Sequence, residues 1–250
     1  MKSFWCGVCF LFLAMTGQCL DKVGHAVAVQ GIVKASNSEQ EDRILQKNGD
    51  VFLGDTIMTE EMSKGQIKFT DGTMVLLIPG SSYSVNDYVF THSWEKNRFA
   101  AKLHQGGLRV ATGMIASKNP ENFELGTPNA TIGVRGTIFE TNFVQGNLYV
   151  GSSSGKVTVT NSGGSLEVGS NHYAEVTSSD MAPQPLAERP PALDPANFTP
   201  PQGGTSFASE AGASVGASNG FAWGPAVVGV VIIGAVVGGA AGMASSSSAH

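Results

Sequence analysis

The run TPNATIGVRGTIFE, residues 127–140, sets one guanidinium, Arg135, among small and apolar residues and brackets it with Gly133 and Gly136. Its five donors in a rigid fork suit either a ligand or a set of carbonyls and carboxylates on adjacent strands. Glycines on both sides permit close backbone approach, so Arg135 is expected to brace neighbouring turns of the fold, with direct ligand contact as the alternative. Asp71 in FTDGT could be read as an acid. Asp-Gly between apolar runs, however, is a turn signal, because Gly72 can take positive φ and aspartate bonds its own backbone. GSSSG at 151–155 has the letters of a nucleophile elbow, but a strand-like KVTVT follows where a helix is required, so a hairpin loop is expected. GSSSGK also falls one residue short of a phosphate-cradling loop, and Val157 stands where that loop needs a hydroxyl.

No paired carboxylates, Ser–His pairing or thiol in motif context marks a catalytic centre, so no enzymatic activity is expected. His25, His92, His104, His172 and His250 lack ligand-like spacing, and neither a metal site nor a cofactor site is expected. The 250 residues carry a formal charge of −5, with 15 basic residues scattered along the chain, an arrangement that argues against nucleic acid as a partner.

These residues must be positioned by strands. From Ala26 to about Thr177, turn signals recur at short intervals (NGD 48–50, DG 71–72, PG 79–80, GG 106–107, QG 145–146, GG 163–164), and the runs between them are rich in β-branched and aromatic residues or alternate apolar with polar. The region reads as all-β with short strands. SWEKNRFAAKLHQ at 93–105 is the one stretch with helical character, and a strand pair fits it equally.

The ends differ in composition. Residues 1–19 have Lys2, an apolar run from Phe4 to Met15 and then small residues, the order of a signal peptide, with cleavage expected after Cys19 and a poorer site at Ala14 and Thr16. Cys6, Cys9 and Cys19 all lie there, so a chain starting at Leu20 has no disulfide; Gln18 argues against lipidation of Cys19. Residues 180–220 are rich in Pro, Gly, Ser and Ala, and are expected to be a disordered linker. The stretch 224–244 is uncharged, long enough to span a bilayer as a helix, and repeats Gly234, Gly238 and Gly242 along one helical face. It is expected to anchor the chain and to support self-association through that face, with a glycine-zipper peptide or buried hairpin as alternatives.

Residues 26–177 resemble the FecR domain. The likeness begins at Gly54-Asp55, Ile57 and Thr59 and continues through FTDGT, with Asp71 and Gly72, then Leu76, Pro79 and Gly107-Leu108-Arg109. It is sharpest at Thr127, Pro128, Ala130, Gly133, Val134, Arg135, Gly136, Thr137 and Phe139, and runs on through Gly155-Lys156-Val157 to LEVGSNHYAEV. The resemblance implies an exported module of solenoid-like or roll-like build, known from regulators that relay a signal from an outer-membrane siderophore receptor to a sigma factor. Those regulators carry an anti-sigma segment and a membrane span before the domain, whereas here a signal peptide precedes it directly. The expected function is therefore a non-enzymatic envelope module binding a protein or polymer partner, in the periplasm or at a membrane, with iron- or siderophore-related signalling as the alternative.

Overall fold

The computed structural model describes residues 20–207. The expected signal peptide, the apolar stretch 224–244 with Gly234, Gly238 and Gly242, and the end of the expected linker lie outside the described residues. Within them the fold is all-β. The strands in chain order are β1 (Lys22–Gln30), β2 (Val33–Asn37), β3 (Gln40–Ile44), β4 (Asp50–Phe52), β5 (Thr56–Thr59), β6 (Lys64–Phe69), β7 (Met74–Leu77) and β8 (Ser82–Val89). After them come β9 (Arg98–Ala111), β10 (Phe123–Gly126), β11 (Thr131–Val144), β12 (Asn147–Asn161), β13 (Gly164–Val168), β14 (Tyr173–Val176) and β15 (Gln184–Leu186). One short helix, α1 (Met114–Lys118), follows β9. Among the described residues no helix is long and apolar enough to cross a membrane.

Strand length departs from the expectation of short strands: β9, β11 and β12 run 14, 14 and 15 residues. Each belongs to two half-sheets. The first has the order β3-β2-β5-β8, then the start of β9, β10, the start of β11, the end of β12, and β13. The second has the order β4-β1-β6-β7, then the end of β9, the end of β11, the start of β12, β14 and β15. The strands change partners at Gly106, Gly136 and Gly155, all at positive φ, and bent strands of this kind make the corners of two packed sheets. GG 106–107 and GSSSG 151–155 therefore lie inside β9 and β12, not in the turns expected from their composition. The other signals do fall at turns, QG 145–146 with both residues at positive φ among them, as a tight hairpin demands. SWEKNRFAAKLHQ divides into a 3₁₀ turn at Trp94–Lys96 and the start of β9.

The half-sheets face each other across one apolar cluster, with Ile57, Tyr83, Leu103 and Val159 from the first and Ile67, Val75, Phe139 and Val150 from the second. β7 is buried along its whole length. Val75 and Leu77 enter that main cluster, while Met74 and Leu76 point the other way, into a second cluster with Ile78, Ala111, Ile138, Leu193, Phe198 and Phe207. An unbroken apolar run is what a strand covered on both faces requires.

The second cover corrects the linker boundary. Through Phe207 the expected linker is a packed strap: β15 pairs with β14, and Leu193, Phe198 and Phe207 are buried on the outer face of the second half-sheet. Prolines restrict φ along this segment and reduce its unmet backbone donors, and short turns such as the 3₁₀ turn at Pro191–Leu193 bring its apolar side chains onto the sheet, so a preformed sheet face can order it without any periodicity of its own.

Candidate functional site

The β6–β7 turn and the segment after β9 meet around Asp71. Its carboxylate is almost fully buried and accepts from Thr73 N–H (3.1 Å), Thr73 Oγ1 (2.8 Å), Ile115 N–H (3.4 Å) and the Tyr88 hydroxyl (3.3 Å). Asp71 N–H donates to the Tyr88 hydroxyl at 2.8 Å, and its carbonyl accepts from Met114 N–H at 2.9 Å. One residue thus joins β7, β8 and α1. Burial outweighs these hydrogen bonds and holds the Asp71 carboxyl above its ordinary range. Burial, with the Asp71 charge second, likewise raises the Tyr83 and Tyr88 hydroxyls.

Thr112 carries the connection onward to β11. Its Oγ1 accepts from Thr137 N–H at 2.9 Å, and its own N–H donates to the Thr137 carbonyl at 3.0 Å, while Gly113 N–H donates to Thr73 Oγ1 at 3.0 Å. The structure therefore brings Asp71 and Thr137 into one network beside a cleft of about 290 Å³, which is lined by Lys68, Thr70, Asp71, Gly72, Thr112 and Met114 among others. Arg135 and Gly136 immediately precede Thr137 in β11. Thr127 and Pro128 sit elsewhere, in the β10–β11 turn, where Thr127 Oγ1 donates to the Ala130 carbonyl at 2.6 Å; Gly133 lies between, opposite Glu124 and Thr158.

Arg135 differs from expectation. Its side chain is exposed and has no hydrogen bond or ion pair among the described residues, so it is not a brace. Gly136 serves the strand crossing instead: the β11–β12 register shifts between Arg135 and Ile138, and Gly136 has φ +58°, while Gly133 sits in regular pairing with Glu124 and Thr158. Arg135→Ala is accordingly expected to change stability by no more than about 0.5 kcal/mol, as for other surface positions. A loss above about 1 kcal/mol in urea titration of the purified chain would show an interaction that the geometry lacks.

A Ser–His pairing, which no sequence motif announced, lies across β8 and β9. Ser84 Oγ is 2.9 Å from His104 Nε2 and donates to Asn86 Oδ1 at 2.7 Å. The hydroxyl has a single proton, so with Asn86 receiving it the imidazole must donate, and it cannot take a proton from Ser84. Burial, with Lys102 second, also lowers the His104 pKa. A fluorophosphonate probe is expected to leave Ser84 unlabelled; labelling abolished by Ser84→Ala would reveal a nucleophile. Among the described residues no three His, Cys, Asp or Glu side chains are grouped to hold a metal ion.

No curated protein matches the chain. Two crystal structures, at 2.50 and 1.65 Å resolution, of a Parabacteroides distasonis protein described as a candidate anti-sigma factor are similar at 19% and 20% identity, with TM-scores of 0.44 and 0.43. In both, the similarity covers 53% of this chain and 59% of the other. The model of the FecR protein family matches residues 55–179, half of the 250-residue sequence. That stretch holds the Asp71 turn, the Thr127-Pro128 turn and the crossing at Gly136 and Gly155, and on this match the chain belongs to the FecR protein family.

Proposed function

We propose that the chain is an exported, non-enzymatic component of envelope signalling, related to iron or siderophore sensing, that works by contact with a protein partner. Membership of the FecR family is the observation that carries this reading. The contact point it suggests is Arg135, a cation held out on the strand crossing without a partner among the described residues, and so available to an acidic group on another protein. Asp71, by contrast, is engaged within the fold.

The test is transcriptional. Deleting the gene in its host should change the expression of a defined gene set under iron limitation. Complementation with Arg135→Glu, which reverses the charge without touching the core, should reproduce the deletion. Unchanged transcripts in the deletion strain would end the signalling reading. A scaffold tethered through 224–244 is the second reading, favoured by the 21 uncharged residues of that stretch. It predicts carbonate-resistant membrane association with no transcriptional effect.

A further inference from the structure

The outer face of the second half-sheet contacts the strap through side chains that recognise peptide main chain. Gln66, fully buried, uses both halves of its amide on one residue: Nε2 donates to the Thr205 carbonyl at 2.7 Å, and Oε1 accepts from Thr205 N–H at 2.8 Å. Neighbouring strands exchange the same pair of bonds. Asn142 Nδ2 donates to the Ala192 carbonyl at 2.9 Å, and Lys64 Nζ donates to the Thr199 carbonyl at 3.2 Å. Such contacts hold a main chain whatever its side chains are.

Selectivity comes from the remaining contacts. Leu193, Phe198 and Phe207 fill apolar sockets on the sheet. Glu140, only 1% exposed, meets Arg189 of the strap, whose Nη2 lies 2.8 Å from Glu140 Oε1. Arg189 also donates to the Leu193 carbonyl at 2.6 Å and to the Tyr173 hydroxyl at 3.1 Å. Arg109, registered opposite Glu140, places its guanidinium 5.2 Å from the Phe207 ring centre, and its buried Nε has no hydrogen-bond partner among the described residues.

Gln66, Asn142, Lys64, Glu140 and Arg109 all lie inside the family-matched stretch 55–179, whereas the residues that occupy the face, from Arg189 to Phe207, lie beyond its end. The side chains that receive the strap thus lie within the matched stretch, and the strap follows it in the chain. We propose that this face is a docking surface for a proline-bearing peptide of a partner protein that takes the same series of short turns, and that residues 188–207 cover it in cis until the partner displaces them. The peptide it fits carries an arginine for Glu140, an aliphatic side chain four residues later and an aromatic one five residues beyond that, the spacing of Arg189, Leu193 and Phe198. The surface goes beyond the signalling reading and would serve a scaffold equally.

A fluorescent peptide of residues 188–207, with a scrambled control, tests this on the full chain. The tethered strap should keep the wild-type face closed, because a linked occupant competes at roughly millimolar effective concentration. Phe198→Ala should loosen the cover and raise the apparent affinity for the peptide by about tenfold or more, and adding Gln66→Ala should remove the gain. A chain with a specific protease site inserted after Ser179, cut once folded, should exchange its strap for the labelled peptide, and this second form serves if Phe198→Ala fails to fold. Loss of cooperative melting in the cut chain would make the strap an integral part of the core and overturn the proposal. So would a folded cut chain or Phe198→Ala variant that does not bind the peptide, or that binds the scrambled one equally.

Discussion

Asp71→Ala is expected to destabilise the chain by about 2–4 kcal/mol in urea titration, a large effect for a residue in a two-residue turn. The substitution takes the acceptor from two Thr73 donors, Ile115 N–H and the Tyr88 hydroxyl at once, at a residue only 1% exposed. Each stranded donor costs about 1–3 kcal/mol when buried, and the sum is less than additive because the loop can relax. pH gives a second readout. Asp71 has its carboxyl raised above the ordinary 3.8, so in the window just above that value the folded chain binds more protons than the unfolded chain. Its contribution to stability is therefore greatest below the window and falls as pH rises through it. The gap between wild type and Asp71→Ala should widen as pH drops from neutrality into that window. A cost below about 1 kcal/mol, or a gap that narrows, would mean that Asp71 does not hold the turn to α1.

The sequence makes local requirements visible and leaves pairing partners hidden. Turns at Gly72, Gly80 and Gln145-Gly146 were legible because each needs positive φ at a position where glycine or a short polar pair supplies it. Gly106 and Gly155 meet the same local requirement inside long strands. Whether a positive φ reverses a chain or carries it to a second sheet depends on the neighbouring strand's register, which composition does not encode. The expectation for Arg135 fails on the same ground: Gly136 beside it bends β11 and does not admit a neighbouring backbone, since a Cβ there would meet nothing within 4 Å. Met74–Leu77 was legible as a strand, yet the strap on its second face was not. Leu193, Phe198 and Phe207 follow no period, because sockets on an existing sheet and not the strap's own geometry set their spacing.

Gly155→Ala should be far more costly than Gly136→Ala, although both glycines have positive φ at the same strand crossing. Gly136 has φ +58° and open space where a Cβ would be, so alanine there adds only the left-handed backbone penalty, about 1–2 kcal/mol. Gly155 has φ +75°, and its added Cβ would lie 2.3 Å from the Gly136 carbonyl oxygen and 2.8 Å from Thr137 Cγ2. Backbone cannot swing aside as a flexible side chain can, so β11 and β12 would have to separate where they turn together. That displacement bears on Thr137, and through Thr137 on its paired bonds with Thr112. The expected loss is about 3–5 kcal/mol, enough to leave a domain of ordinary stability partly unfolded at physiological temperature. Parallel urea titrations of the two variants decide the matter. Equal costs would mean that backbone conformation alone sets the glycine requirement; a cost at Gly155 several times that at Gly136 would show that close approach of two strands fixes the corner from which Arg135 projects.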